Sequence, residues 1–64
     1  MYIKNLKKFR ESENITQKEI AKELNIKQVQ YSRYETGKRE LPIKHLIKLA
    51  EFYNKSTDEI LGIK

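Results

Sequence analysis

Apolar residues recur three and four apart along most of the chain and never alternate over a useful length, so the pattern predicts helices rather than strands. Ile3, Leu6 and Phe9 mark one face of a helix over residues 2–13, from Tyr2 to Glu13, with Lys4, Lys7 and Lys8 on the other. Asn14 suits a left-handed stop, because Asn enters that region more easily than other residues with a side chain. Ile15 then dips toward the core. Thr16 is a good N-cap, and Glu19 can reach back to complete a capping box. Ile20, Ala21 and Leu24 fall on one face of the helix that follows. Asn25 turns the chain and Ile26 anchors the turn. Residues 27–35 resume a helical pattern, with Val29 offset from Tyr31 and Tyr34. Gly37 fits the left-handed residue that ends a helix.

Residues 16–37 are the stretch around which the rest is organised: a short helix, a tight turn, a second short helix and a glycine stop. A polar loop over residues 35–40 follows. Pro42 suits a first helical turn, where its missing donor costs nothing. Ile43, Leu46, Ile47, Ala50 and Tyr53 mark the next helix face, widened by Leu49 and Phe52. Asn54 and Lys55 form a break. Ser56 and Glu59 make a second capping box before Ile60 and Leu61, and Gly62 ends the last helix. The expected fold is all-α, five short helices around one core. The chain reads as a single domain over residues 1–64, with a helix-turn-helix over about residues 17–35.

At 64 residues, a chain buries only about 60% of its unfolded surface, so modest stability is expected. It has no cysteine, which removes disulfides and thiolate metal sites. Nothing resembles a signal peptide, and no apolar run approaches the roughly 20 residues of a membrane span. A cytoplasmic location is the default expectation. The net charge is +5, from 14 basic and 9 acidic residues. Residues 27–39 carry Lys27, Arg33, Lys38 and Arg39 against the single acid Glu35. That bias favours phosphate polymers, although a basic surplus alone also serves solubility. His45 stands alone, without Cys or a second His, and is expected at the surface rather than on a metal. No nucleophile–base pairing and no phosphate-cradling glycine loop is present, so neither an enzyme nor a cofactor is expected.

Two helices joined by so short a turn cross steeply and bury their inner faces, so the second projects one face outward. Its outward residues are Lys27, Gln28, Gln30, Ser32 and Arg33. Gln and Arg can pair bidentately with base edges. The residues Arg10, Asn14-Ile15-Thr16-Gln17, Ile20-Ala21, Leu24-Asn25-Ile26 and Ser32-Arg33-Tyr34-Glu35 with Gly37 resemble the phage Cro and repressor family. Leu41-Pro42, Leu46, Leu49-Ala50 and residues 56–61 continue that resemblance, which covers nearly the whole chain. This family of Xre-like, or lambda-repressor-like, domains implies a helix-turn-helix formed by helices 2 and 3. The third helix is then expected in the DNA major groove.

The resemblance implies roles residue by residue. Lys27, Gln28, Val29, Ser32 and Arg33 match groove-facing positions. Val29 is apolar in a polar slot, and either a thymine methyl or the core could take it. Gln17, the first residue after the Thr16 cap, matches a position that clamps the DNA backbone. Lys18, Gln30, Tyr31, Thr36, Lys38, Arg39 and Arg10 are the further backbone-contacting residues, with Tyr31 expected in the core and its hydroxyl reaching an edge. Arg10 is implied to pair with Glu35, fixing the first helix against the third. Lys27 replaces a small hydroxyl residue, so helix 3 is expected to lack a side-chain cap.

Phe52, Tyr53, Leu61 and Ile63 are too apolar for a free surface. They suggest a homodimer through the last two helices, a reading that the chain's end at Lys64 without an added dimerisation domain favours. Two-fold symmetry would set two recognition helices about 34 Å apart on a roughly palindromic operator. The expected function is therefore a sequence-specific transcriptional regulator, a repressor in the first instance, whose partner is double-stranded DNA. The alternative is a protein-interaction module or antitoxin that keeps the fold without specific DNA binding. A basic helical protein on anionic membrane is disfavoured, because the cations do not line one strongly amphipathic helix.

Overall fold

The structure, a computed structural model, describes residues 3–63. Five helices follow in order: α1 (Leu6–Ser12), α2 (Gln17–Glu23), α3 (Gln28–Glu35), α4 (Ile43–Tyr53) and α5 (Thr57–Leu61). The all-α expectation holds, and α2 packs against α3, and α4 against α5, more closely than other pairs.

Helix starts and stops follow the local chemistry. Thr16 accepts from the Glu19 amide at 3.1 Å while Glu19 accepts from the Thr16 amide at 3.0 Å. Ser56 and Glu59 repeat this box at the start of α5. Asn14, Asn25 and Asn54 all take left-handed φ values between 55° and 59°. At each, the next residue's amide reaches back five positions: Ile15 to Arg10 O, Ile26 to Ala21 O and Lys55 to Ala50 O. This is the Schellman closure, which satisfies carbonyls that the helix itself leaves open. Gly62 ends α5 in the same way at φ 79°. A Cβ there would meet the Asn5 side chain at 2.6 Å, so glycine lets the end of α5 close over the start of α1.

The core joins Ile3 and Leu6 to Ile20, Ala21 and Leu24, to Tyr31 and Tyr34, to Leu46, Leu49 and Tyr53, and to Ile60. Phe9, Ile15, Ile26 and Leu61 pack around it, half-buried.

The start of α1, the place of Pro42 and the rotation of α4 differ from the sequence pattern. α1 begins at Leu6, after a turn at Lys4 and Asn5; Tyr2, the expected start, lies outside the described residues. Asn5 occupies the N-cap position but makes no capping bond, since its side chain lies over Gly62. Pro42 is extended (ψ 148°) and sits one residue before α4 rather than in its first turn. The inward arc of α4 runs through Leu46, Leu49 and Tyr53, so at 100° per residue Ile43 and Ile47 fall outside it, 71% and 49% exposed. The same rotation buries His45 to 9% exposure, overturning its expected surface position. Its ring lies 6.0 Å from that of Tyr34 and ties α4 to α3.

Candidate nucleic-acid interface

Helix α3 divides its side chains cleanly. Tyr31, Tyr34 and Glu35 point inward and are buried. Lys27, Gln28, Val29, Gln30 and Arg33 are exposed, and Ser32 is half-buried beside them. Val29 is 57% exposed, so of its two possible places the core is excluded. Lys27 is the N-cap residue and makes no capping bond, leaving the first amides of α3 without a side-chain partner.

Behind this face lies a polar network. Arg10 donates from Nε to Glu35 Oε2 at 2.7 Å and from Nη2 to Oε1 at 3.2 Å. Its Nη1 donates to the Ile15 carbonyl at 2.9 Å. The implied Arg10–Glu35 pair is thus present, with its side chains only 11% and 3% exposed. Gln17 joins it by donating from Nε2 to Glu35 Oε1 at 2.9 Å. One carboxylate therefore locks the last turn of α1 and the start of α2 to the end of α3. Gln17, the first residue of α2, is half-buried.

Two backbone-contact assignments are corrected here. Tyr31 is fully buried, and its hydroxyl has no access to an external phosphate. Burial, with the neighbouring Glu35 carboxylate, pushes its ionisation far up, so it stays neutral. Arg10 turns its donors onto Glu35 and Ile15 and is 9% exposed, so it supports the site from beneath rather than facing a ligand. Gln30, whose role the sequence leaves open, stands on the crest of α3 and donates from Nε2 to the Tyr34 hydroxyl at 3.2 Å. Thr36 is exposed but donates its hydroxyl to the Ser32 carbonyl at 3.1 Å. Lys18, Lys38 and Arg39 are exposed.

The crest of α3 stands between two shallow clefts. One, on the side of the following loop, is lined by Lys27, Val29, Gln30, Arg33, Tyr34, Arg39 and Glu40. The other, on the side of α2 and the turn, is lined by Lys18, Ala21, Lys22, Asn25, Ile26, Lys27, Gln28 and Gln30. Sequence reasoning missed Lys22 and Asn25. The signal available was the spacing of Lys18 and Lys22, four apart and hence on one face of α2.

The apolar set assigned to self-association divides. Phe52 and Ile63 are 40% and 72% exposed. Leu61 is half-buried, whereas Tyr53 is 4% exposed, edge-on to Phe52 and stacked on Phe9. Tyr53 is therefore a core residue and is withdrawn from that set.

Comparison with known proteins agrees with this architecture. Residues 6–60 match the sequence model described as helix-turn-helix. The HTH-type transcriptional regulator ImmR of Bacillus subtilis is 44% identical over 59 residues, which span 92% of this chain and 46% of the relative. The uncharacterized HTH-type transcriptional regulator YqaE of the same organism is 38% identical over 61 residues, spanning 95% of this chain and 53% of its own length. The crystal structure of a transcriptional regulator from Listeria innocua superposes with a TM-score of 0.84 at 29% identity, covering 91% of this chain and 54% of that one. The chain thus spans about half the length of the relatives it matches. With the capped α2, the asparagine turn, the projecting α3 and the Arg10–Glu35 pair all in place, the chain belongs to the Cro- and Xre-like helix-turn-helix family.

Proposed function

We propose that this chain is the operator-reading domain of a transcriptional repressor, binding double-stranded DNA with α3 in the major groove. The observation that carries the reading is the crest of α3, polar and exposed, standing between two clefts rimmed by cations. A helix that enters a groove about 12 Å wide meets base edges along its crest and a phosphate backbone on either side. Lys27, Gln28, Val29, Ser32 and Arg33 face the bases. Gln28 suits adenine, Arg33 suits guanine, and the exposed Val29 suits a thymine methyl. Gln17, Lys18, Gln30, Thr36, Lys38 and Arg39 face phosphates, which position the helix without reading sequence.

Exposed Phe52 and Ile63 with half-buried Leu61 form the apolar edge through which two copies associate. A two-fold pair of this kind reads a roughly palindromic operator with half-sites about 34 Å apart. The relatives named as transcriptional regulators support this reading over a pure protein-interaction module. DNA as the ligand places its work in the cytoplasm.

Selection from a random duplex pool, with sedimentation of the same sample, tests the proposal. Enrichment of a palindrome, and a complex holding two protomers per duplex, is the expected result. Gln28→Ala and Arg33→Ala should each relax one position per half-site, at a cost of about 1–3 kcal/mol for the base they read. Binding that is salt-sensitive but indifferent to sequence would turn the reading toward a protein-interaction role.

A further inference from the structure

The cleft between α2 and the crest of α3 has a composition that the expected DNA contacts do not account for. Lys18 and Lys22 rise from α2, one turn apart, and Lys27 from the start of α3, over a floor of Ala21 and Ile26. All three lysines are exposed, and among the described residues no carboxylate lines the cleft. The cleft on the other side of α3 differs in carrying Glu40 among its cations. Three cationic side chains bordering one cleft add their positive potential there, which suits the cleft to an anion.

The position of the cleft says which anion. It shares Lys27, Gln28 and Gln30 with the crest of α3. Whatever α3 engages must therefore continue into this cleft. What flanks the major groove of a duplex is the phosphodiester backbone, one negative charge per nucleotide at regular spacing. From this we infer that Lys22, with Lys18 and beside the base-facing Lys27, forms a second phosphate-binding edge that grips the DNA strand on the α2 side of the recognition helix. The loop residues Lys38 and Arg39 hold the opposite side. The inference rests on the operator-reading proposal and adds to it a residue, Lys22, with a defined task. It contributes affinity and no sequence preference, because an ammonium on a phosphate reads no base.

The test is the salt dependence of binding to the selected operator. Each phosphate neutralised steepens the log–log slope by about 0.9, so Lys22→Ala should make a dimer's slope shallower by nearly 2 units. Counterion release alone then weakens binding about 30-fold at 0.15 M salt. Lys22→Gln should do the same, and reselection with either variant should return the wild-type half-site. Lys18→Ala added to Lys22→Ala should flatten the slope further. Lys55→Ala is the control: this exposed lysine in the α4–α5 break lines neither cleft, and its loss should leave the slope unchanged. Specific binding with an unaltered slope in both Lys22 variants would overturn the inference and leave the operator reading standing. An equal change in Lys55→Ala would also overturn it, as a general charge effect. Failure of the wild-type chain to select any sequence would remove the operator reading and this inference together.

Discussion

Arg10 and Glu35, 25 residues apart in sequence, meet through two hydrogen bonds of 2.7 and 3.2 Å at a point where both side chains are nearly closed off from water. Glu35 also holds Gln17, so removing it strands the Arg10 charge and frees the start of α2 at once. Removing one member of a buried pair costs about 3–5 kcal/mol. For a domain of this size each kcal/mol lowers the melting temperature by about 4–8 °C. Glu35→Ala should therefore melt far below the wild type, followed by circular dichroism. The double variant Arg10→Met, Glu35→Leu should recover much of the loss, because it leaves no buried charge unpaired. An unchanged midpoint in Glu35→Ala would show that the pair is open to solvent.

Two buried groups, Glu35 and His45, make stability depend on pH in different ranges. Burial pushes the Glu35 carboxyl up, but the hydrogen bonds from Arg10 and Gln17, with the Arg10 charge, outweigh it and hold it below its usual 4.5. Its stabilisation is fully present above that value and is lost as pH falls through the lowered folded-state value. Burial, and then the charge of Lys44, push His45 below its usual 6.5. The folded chain thus resists protonating His45, and stability falls as pH drops below 6.5. Melting curves at about pH 7.5, 5.5 and 3.5 separate the two. His45→Gln should remove the first fall and keep the second, whereas Glu35→Gln should flatten the second. A wild-type midpoint that stays constant from pH 7.5 to 5.5 would rule out the His45 contribution.

Asn25 sets the angle at which α2 meets α3. Its φ of 59° is left-handed, a conformation that costs an ordinary side chain roughly 1–2 kcal/mol. Asn25→Ala should destabilise the fold by about 1 kcal/mol, and Asn25→Gly should be neutral or slightly stabilising. Chemical denaturation of the pair decides this. Equal stability of the Ala and Gly variants would mean that the turn relaxes to another conformation.

What the sequence made legible was local. Both capping boxes, the asparagine turns at Asn14 and Asn25, the break at Asn54 and the glycine stop at Gly62 are each written within a few residues, and each forms as expected. The Arg10–Glu35 contact spans 25 positions, and only the family resemblance pointed to it. The burial of His45 was not legible, because α4 carries more apolar residues than one face can bury. Periodicity then leaves the rotation of the helix open by about one residue, or 100°. Packing chose the arc through Leu46, Leu49 and Tyr53, which turns Ile43 and Ile47 out and His45 in. The Gln17–Glu35 bond was hidden for a different reason: it depends on side-chain direction at a helix start, which residue spacing does not encode.

Lys27 is where stability and binding pull apart. It stands at the N-cap of α3 with extended backbone (ψ 150°), the geometry in which a Ser or Thr hydroxyl would accept from a first-turn amide, and it provides no such bond. A cation there also opposes the positive end of the helix dipole. Lys27→Ser should therefore stabilise the fold by about 0.5–2 kcal/mol. The same change removes a cation that borders both clefts. DNA binding should weaken, with a shallower salt slope if Lys27 meets phosphate, or with relaxed preference at one base pair if it meets guanine. Melting temperature and operator affinity measured on one preparation should thus move in opposite directions. A variant that is more stable and binds as tightly as the wild type would exclude Lys27 from the interface.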